Sequence, residues 1–125
     1  MTRVGIDAVE VARIEALCQR YGQRFLERLF TPEEIAYATS ARGNRRFERL
    51  AARFAAKEAL IKAAGRPLPH TSIEVSRAPS GRPTIRCRAV AGEITASLSH
   101  TEKLAVACVL LEEEATSFSR PAAKP

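Results

Sequence analysis

The sequence predicts an α+β fold, because helical patterns occupy its first half and strand patterns its second half. Apolar residues recur three and four positions apart from Val9 to about Tyr21 and again from Arg45 to Ala64, as on one face of a helix. After Ser72 the pattern changes to short β-branched and apolar runs between turn signals. We therefore expect an antiparallel sheet packed against a long central helix and shorter N-terminal helices.

The N-terminal half begins with a short predicted strand, Arg3 to Ile6, that ends at Asp7, where a carboxylate can project beyond the sheet edge. The helical pattern continues from Gln23 to Phe30, and Thr31-Pro32-Glu33-Glu34 is typical of a capped helix start with proline in first position. The longest helical pattern ends at Gly65, a residue suited to a helix C-terminus.

The C-terminal half contains four predicted strands, at 72–77, 84–88, 94–99 and 104–111. Ser80-Gly81-Arg82-Pro83 predicts one turn, and residues 99–103 join the last two strands as a hairpin with His100 at its tip. The tail 115–125 has little apolar content and two prolines, which predicts a flexible segment. The predicted organisation is one domain over 1–114, followed by that tail.

The composition is that of an ordinary soluble protein. A chain of 125 residues with 46% hydrophobic and 27% charged residues suits one compact domain. The N-terminus lacks the apolar core of a signal peptide, and no run is long enough for a membrane helix, so we expect a cytoplasmic protein. Cys18, Cys87 and Cys108 have no C-x-x-C spacing, and we assign them no redox or metal chemistry.

The net charge of +6 and the pI of 9.8 predict an acidic partner. An aromatic content of 6% and the absence of tryptophan disfavour a dedicated nucleic-acid module. A non-catalytic basic module that binds an acidic protein or nucleic acid therefore stays as the weaker alternative.

The segment from Arg53 to Ala63 places Glu58 and Lys62 one helical turn apart. With Lys57 beside them, this face offers a carboxylate for a divalent cation and ammonium groups for phosphate oxygens. The same spacing is also typical of an exposed helix ion pair that contributes only about 0.3 to 0.5 kcal/mol. By itself the segment favours a structural role.

The order of the segments resembles one family, the holo-acyl-carrier-protein synthases, which are small trimeric 4'-phosphopantetheinyl transferases. The resemblance covers most of the chain. The matching stretches in the first half are VGID at 4–7 with Glu10, Arg13 and Ile14, RFL at 24–26, RLFTPEE at 28–34, and LAARFAAKEA at 50–59 with Lys62 and Ala63. Those in the second half are IEV at 73–75, GRP at 81–83 and SLSHT at 97–101.

The resemblance implies transfer of the 4'-phosphopantetheine arm of coenzyme A to a serine hydroxyl of an acyl carrier protein, with release of adenosine 3',5'-bisphosphate. In the family pattern Asp7 and Glu58 would hold Mg²⁺, and Lys62 would stabilise charge on the phosphates. Glu58 or a metal-bound water beside it would accept the serine proton, and the sequence leaves both routes open.

The resemblance also implies a coenzyme A site. Ser99 and His100 would lie near the nucleotide, Gly81 and Pro83 against the adenine, and Arg45 or Arg46 at the 3'-phosphate. The full expected set is Arg45, Arg46, Lys57, Lys62, Gly81, Pro83, Ser99 and His100. Taken alone, the histidine and the Gly-Arg-Pro sequence favour an ordinary role in turns.

Three arginines and a phenylalanine form the expected carrier-protein surface: Arg13, Arg24, Phe25 and Arg28. Charges at these spacings also occur on any solvated helix face. The functional interpretation is capture of an acidic helix by the arginines, with the phenylalanine as an apolar anchor. Family resemblance further implies a homotrimer with sites at subunit interfaces, where Asp7 and Glu58 would come from different faces.

The chain departs from the family pattern between Ala64 and Ser72. There a shorter, proline-rich loop, residues 65–71, replaces one that usually begins Gly-Thr-Gly. We expect His70 in this loop to be exposed. The change bears on which carrier protein is used, so polyketide or other secondary-metabolite carrier domains remain alternative substrates.

Overall fold

The computed structural model describes residues 1–113 and confirms the α+β prediction. The helices are α1 (Val11–Tyr21), α2 (Gln23–Leu29), α3 (Pro32–Thr39) and α4 (Asn44–Ala64), with a short 3₁₀ turn at His70–Ser72. The strands are β1 (Thr2–Glu10), β2 (Ile73–Arg77), β3 (Pro83–Cys87), β4 (Gly92–His100) and β5 (Leu104–Glu113). The expected domain end at Glu114 and the tail 115–125 lie outside the described residues.

Two antiparallel sheets form, one of three strands in the order β1-β5-β4 and one of two strands, β2-β3. Strand β1 is longer than predicted, because β5 pairs with it from Thr2 opposite Glu112 to Glu10 opposite Leu104. Asp7 therefore lies inside the strand, opposite Ala107, and the prediction that it follows the strand end is wrong.

Helix α4 lies directly against β1, and small residues make the close approach possible. A Cβ at Gly5 would lie 1.9 Å from the Ala59 carbonyl oxygen and 2.9 Å from the Ala63 backbone nitrogen. Ala55 and Ala59 have no exposed surface. The alanines that favour helix formation in α4 thus also bring its backbone onto the sheet.

The start of α3 is tied to the rest of the fold through one buried carboxylate. The predicted capped start is a capping box of Thr31 and Glu34, in which Glu34 Oε1 accepts from the Thr31 backbone N–H at 2.8 Å. The same carboxylate is 2.7 Å from Lys57 Nζ and accepts from the Val75 backbone N–H at 2.7 Å. One glutamate therefore connects α3, α4 and β2.

The face of the three-stranded sheet that points away from α4 is partly apolar and uncovered in this chain. Val4 and Ile6 on β1 are 62% and 61% exposed, and Leu110 on β5 is 45% exposed. Val4 pairs directly with Leu110 across the strands. Within residues 1–113, none of the helices combines the length and apolar character that crossing a bilayer requires.

Candidate active site

Asp7, Lys62 and Glu58 form one group where β1 packs on α4. Lys62 Nζ lies 3.0 Å from Asp7 Oδ1 and donates to the Ile6 carbonyl oxygen at 3.0 Å. Glu58 precedes Lys62 by one helical turn on the same face. A single chain thus brings Asp7 to Lys62, one turn from Glu58, and the expectation that the two acids come from different faces of a subunit interface stays a prediction.

Glu58 has a second partner that the sequence did not suggest. His70 Nε2 lies 2.6 Å from Glu58 Oε2, and the imidazole stacks on the Phe54 ring with centroids 5.7 Å apart and planes 4° apart. The His70 side chain is only 25% exposed, so the expectation of an exposed histidine is wrong. The short loop between α4 and the 3₁₀ turn brings the His70 side chain into contact with α4.

The two carboxylates suit a magnesium ion that keeps several non-protein ligands. Asp7 is 16% exposed and Glu58 32%, so both can be reached by solvent and by a phosphorylated ligand. The described residues contain no group of three or more acidic, histidine or cysteine side chains arranged for a metal. Magnesium is commonly held by one or two carboxylates together with waters and substrate phosphates, which fits this pair.

A basic cleft of about 230 Å³ lies near the start of α4. Its lining residues are Tyr37, Arg45, Glu48, Arg49, Ala52, Arg53, Arg77 and His100. Four of the eight are arginines, so the cleft favours an anion. The structure places Arg45 and His100 together, as their expected contacts with one nucleotide require.

Only Arg45 and His100 of the eight lining residues belong to the predicted set, and the six that were missed include Tyr37, Arg49 and Arg77. The guanidinium groups of Arg49 and Arg53 lie 4.1 Å and 4.3 Å from the centre of the Tyr37 ring. Arg49 also donates to the Tyr37 carbonyl oxygen at 2.7 Å. Arg45, Arg49 and Arg53 are four residues apart, which places them on one helix face, and this spacing was readable in the sequence.

Arg53 forms part of the cleft from within the protein. Its side chain is almost fully buried, and the residue is 4% exposed. Burial lowers the pKa of its guanidinium, an effect that the nearby Tyr37 and Glu34 oppose. This location suits a role in packing and in positioning the other residues of the cleft.

The remaining coenzyme A candidates are distributed over several faces. His100 ends β4 and contacts Glu48 Oε1 through Nδ1 at 3.0 Å. Ser99 precedes it in the strand and so points to the opposite face of the sheet. Arg46 lies over the Phe47 ring at 4.8 Å and lines a different groove, so the structure does not bring Arg46 to the cleft of Arg45.

The turn between β2 and β3 is connected to the cleft by Arg77. Gly81 adopts a φ of 93° in this turn, a conformation that favours glycine. Arg77 donates to the Gly81 carbonyl oxygen at 2.7 Å and also lines the cleft. Pro83 begins β3 directly after the turn. The predicted Gly81 and Pro83 therefore lie beside the arginine cleft.

The expectation that Lys57 contacts coenzyme A needs correction. Its side chain has no exposed surface, and Nζ donates to the carbonyl oxygens of Leu29 and His70 at 2.7 Å and 2.9 Å. Burial lowers the pKa of Lys57, while the hydrogen bond and negative charge of Glu34 act in the opposite direction. Lys57 is a buried structural cation, beside Glu58 in sequence but on another face of the helix.

The expected carrier-protein surface is partly assembled. Arg24, Phe25 and Arg28 line one open groove of about 700 Å³ together with Leu17, Tyr21 and Leu29. The Phe25 ring also packs edge-on against Phe30, with centroids 6.3 Å apart. Arg13 is exposed on α1 and does not line this groove.

The fold and this site define a class of protein that handles a phosphorylated ligand, with paired acids and a lysine toward the C-terminal end of α4 and an arginine cleft near its start. The model of the 4'-phosphopantetheinyl transferase superfamily matches residues 3–109. The chain belongs to this superfamily and, by its relatives, to the holo-[acyl-carrier-protein] synthases within it. It is therefore an enzyme of the transferase class.

Among these relatives, the holo-[acyl-carrier-protein] synthase of Koribacter versatilis is 45% identical, over 87% of this chain and 96% of the relative. That of Moorella thermoacetica is 44% identical, over 95% and 98%. A crystal structure from Bacillus anthracis in complex with CoA (3',5'-ADP) has a TM-score of 0.81 and 35% identity, over 90% of this chain and 96% of that one. The Helicobacter pylori enzyme in complex with coenzyme A has a TM-score of 0.77 and 30% identity, over 87% and 99%.

Proposed function

We propose that this chain transfers the 4'-phosphopantetheine group from coenzyme A to a serine hydroxyl of apo acyl carrier protein, for fatty acid biosynthesis. The observation that carries the proposal is the contact of Asp7 with Lys62, one turn from Glu58, in a chain of this family. Transfer joins the serine oxygen to the β-phosphorus of coenzyme A and releases adenosine 3',5'-bisphosphate.

Each residue of the group has a role that follows from its position. Asp7 and Glu58 would hold Mg²⁺, which when bound supplies charge neutralisation on the pyrophosphate. Lys62 is 56% exposed and can turn its ammonium group toward a phosphate oxygen. Glu58 accepts the serine proton directly or through a water, since a carboxylate beside the reacting hydroxyl can act as the base.

The arginine cleft is the proposed site of the 3'-phosphate of coenzyme A. Arg45 and Arg49 lie on the open side of α4, and His100 approaches from the end of β4. Hydrogen bonds from guanidinium groups to phosphate are charge-assisted and contribute about 1.5 to 3 kcal/mol each. The turn with Gly81 and Pro83 lies beside the cleft, where it can contact the adenine.

A homotrimer with sites at subunit interfaces is part of the proposal. The uncovered apolar residues Val4, Ile6 and Leu110 offer a surface that association would bury. Ser99 points to that same side of the sheet, so its expected contact with the nucleotide would involve a neighbouring subunit. We also propose a cytoplasmic location, in keeping with three cysteines that are all free.

The test is to incubate the protein with coenzyme A, Mg²⁺ and apo carrier proteins, including fatty-acid and polyketide carriers, and to measure the intact mass of each carrier. We expect a mass gain of one phosphopantetheine group and an equal amount of adenosine 3',5'-bisphosphate. The preferred carrier distinguishes fatty acid biosynthesis from secondary metabolism. No gain on any carrier, with Mg²⁺ or Mn²⁺, would contradict the proposal and favour a basic binding module.

A further inference from the structure

The imidazole of His70 contacts the carboxylate on which the proposed function depends. His70 Nε2 lies 2.6 Å from Glu58 Oε2. A carboxylate offers only acceptors, so Nε2 carries the hydrogen and donates it. Within residues 1–113, the other oxygen of Glu58, Oε1, has no hydrogen-bond donor. One oxygen is therefore held while the other is available to a ligand.

The ring of His70 is fixed by a second contact with the same helix. It lies parallel to the Phe54 ring, 5.7 Å away between centroids. Phe54 and Glu58 are one turn apart on α4, so a single imidazole can cover the first and reach the second. The stacking restricts the plane of the ring, and the ring plane sets the direction of its N–H.

The backbone of the loop is fixed as well. The His70 carbonyl oxygen accepts from the buried Lys57 at 2.9 Å, and Ser72 Oγ donates to the Pro69 carbonyl oxygen at 2.6 Å. His70 is thus held at both its backbone and its ring. A half-exposed glutamate otherwise loses rotamer freedom when it binds a ligand, and this contact restricts Glu58 beforehand.

We propose that His70 is a positioning residue for Glu58 in this enzyme. It holds Oε2 and leaves Oε1 free for a divalent cation or for the serine proton, and this role rests on the proposed function. Removal of a hydrogen-bond partner that orients a metal ligand typically costs about 10- to 100-fold in metal affinity or activity. The departure of loop 65–71 from the family pattern thus has a consequence at the proposed active site.

The test compares three variants of the full chain. His70→Phe keeps an aromatic ring over Phe54 but removes the N–H, His70→Gln keeps an N–H donor, and His70→Leu removes the donor without an aromatic ring. Binding of Mn²⁺ is followed by the electron paramagnetic resonance of the free ion, with and without coenzyme A. Thermal unfolding and the Mg²⁺ dependence of carrier modification are measured on the same samples.

We expect His70→Phe and His70→Leu to bind Mn²⁺ about 10-fold more weakly and to need correspondingly more Mg²⁺ for half-maximal transfer. The KM for coenzyme A should stay unchanged, and His70→Gln should recover part of the affinity. If His70→Phe fails to fold, His70→Leu gives the same comparison.

Equal Mn²⁺ affinity in wild type and in the folded variants, or an equal loss in His70→Gln and His70→Phe, would overturn the positioning role. Absence of Mn²⁺ binding by the wild type would overturn it too. If the variants bind Mn²⁺ more weakly than the wild type but the wild type modifies no carrier, the result contradicts the proposed function and leaves the positioning role intact.

Discussion

Replacement of Gly5 by alanine should separate β1 from α4 and so displace Asp7 of the proposed active site, which lies on the same strand. The new Cβ would lie 1.9 Å from the Ala59 carbonyl oxygen, and contacts below 3.0 Å are essentially never seen. The contacting atoms belong to backbone, so no side chain can rotate away. The strand and the helix must therefore move apart by about 1 Å.

The size of the effect follows from this displacement. Overpacking of a close contact costs about 1 to 3 kcal/mol, and a clash with backbone belongs at the upper end. We expect Gly5→Ala to lower the free energy of unfolding by about 3 kcal/mol, and Tm by roughly 10 °C. Asp7 follows two residues later in the same strand, and a misplacement of about 1 Å can reduce a rate by about 100-fold.

Urea unfolding followed by circular dichroism gives the stability, and intact-mass measurement of the carrier gives the transfer rate below the variant's Tm. Gly43→Ala is the control, because a Cβ there meets nothing within 4 Å although φ is 61°. It should cost about 1 to 3 kcal/mol, because φ 61° with ψ −141° is a conformation essentially restricted to glycine, and it should leave the transfer rate unchanged. Gly5→Ala with wild-type stability and rate would refute the inferred contact of β1 with α4.

Three further substitutions test the buried ion pair, the cleft and the carrier surface. Lys57→Met leaves Glu34 buried without its cation and should lower the free energy of unfolding in urea by about 3 to 5 kcal/mol. The exposed control Lys103→Met should change it by less than about 0.5 kcal/mol, and equal effects of the two variants would contradict the burial of Lys57. Arg49→Ala should raise the KM for coenzyme A by about 10- to 100-fold but leave the KM for 3'-dephospho-coenzyme A unchanged, and a parallel rise for both would place the 3'-phosphate elsewhere. Arg24→Glu should raise the KM for the carrier protein about 10-fold, with the difference shrinking at high salt and the KM for coenzyme A unaffected; a salt-independent effect would argue against electrostatic capture.

Local signals made the helices predictable. The proline and paired glutamates after Thr31 predicted the capped start of α3, and Gly65 predicted the end of α4, because capping depends on residues within one turn. The opening strand was predicted too short. Its length is set by pairing with β5, about a hundred positions away, and no feature near Asp7 records that partner.

The site was only partly predictable for the same reason. Lys57 and Glu58 are adjacent in sequence but point to different faces, and the burial of Lys57 depends on Glu34 from another helix. His70 was expected in solvent because loop composition does not show that Phe54 and Glu58 lie within its reach. In contrast, the helical spacing of Arg49 from its neighbours was present in the sequence and indicates one basic face.

The most direct test of the proposed active site is the intact mass of an apo carrier protein after incubation with coenzyme A, Mg²⁺ and one enzyme: wild type, Glu58→Gln or Asp7→Asn. The two carboxylates are proposed to act together, so each folded variant should lose transfer by about 100-fold or more while the wild type adds one phosphopantetheine group. Circular dichroism confirms that both variants are folded. Transfer at the wild-type rate by either variant would contradict the assignment of Asp7 and Glu58.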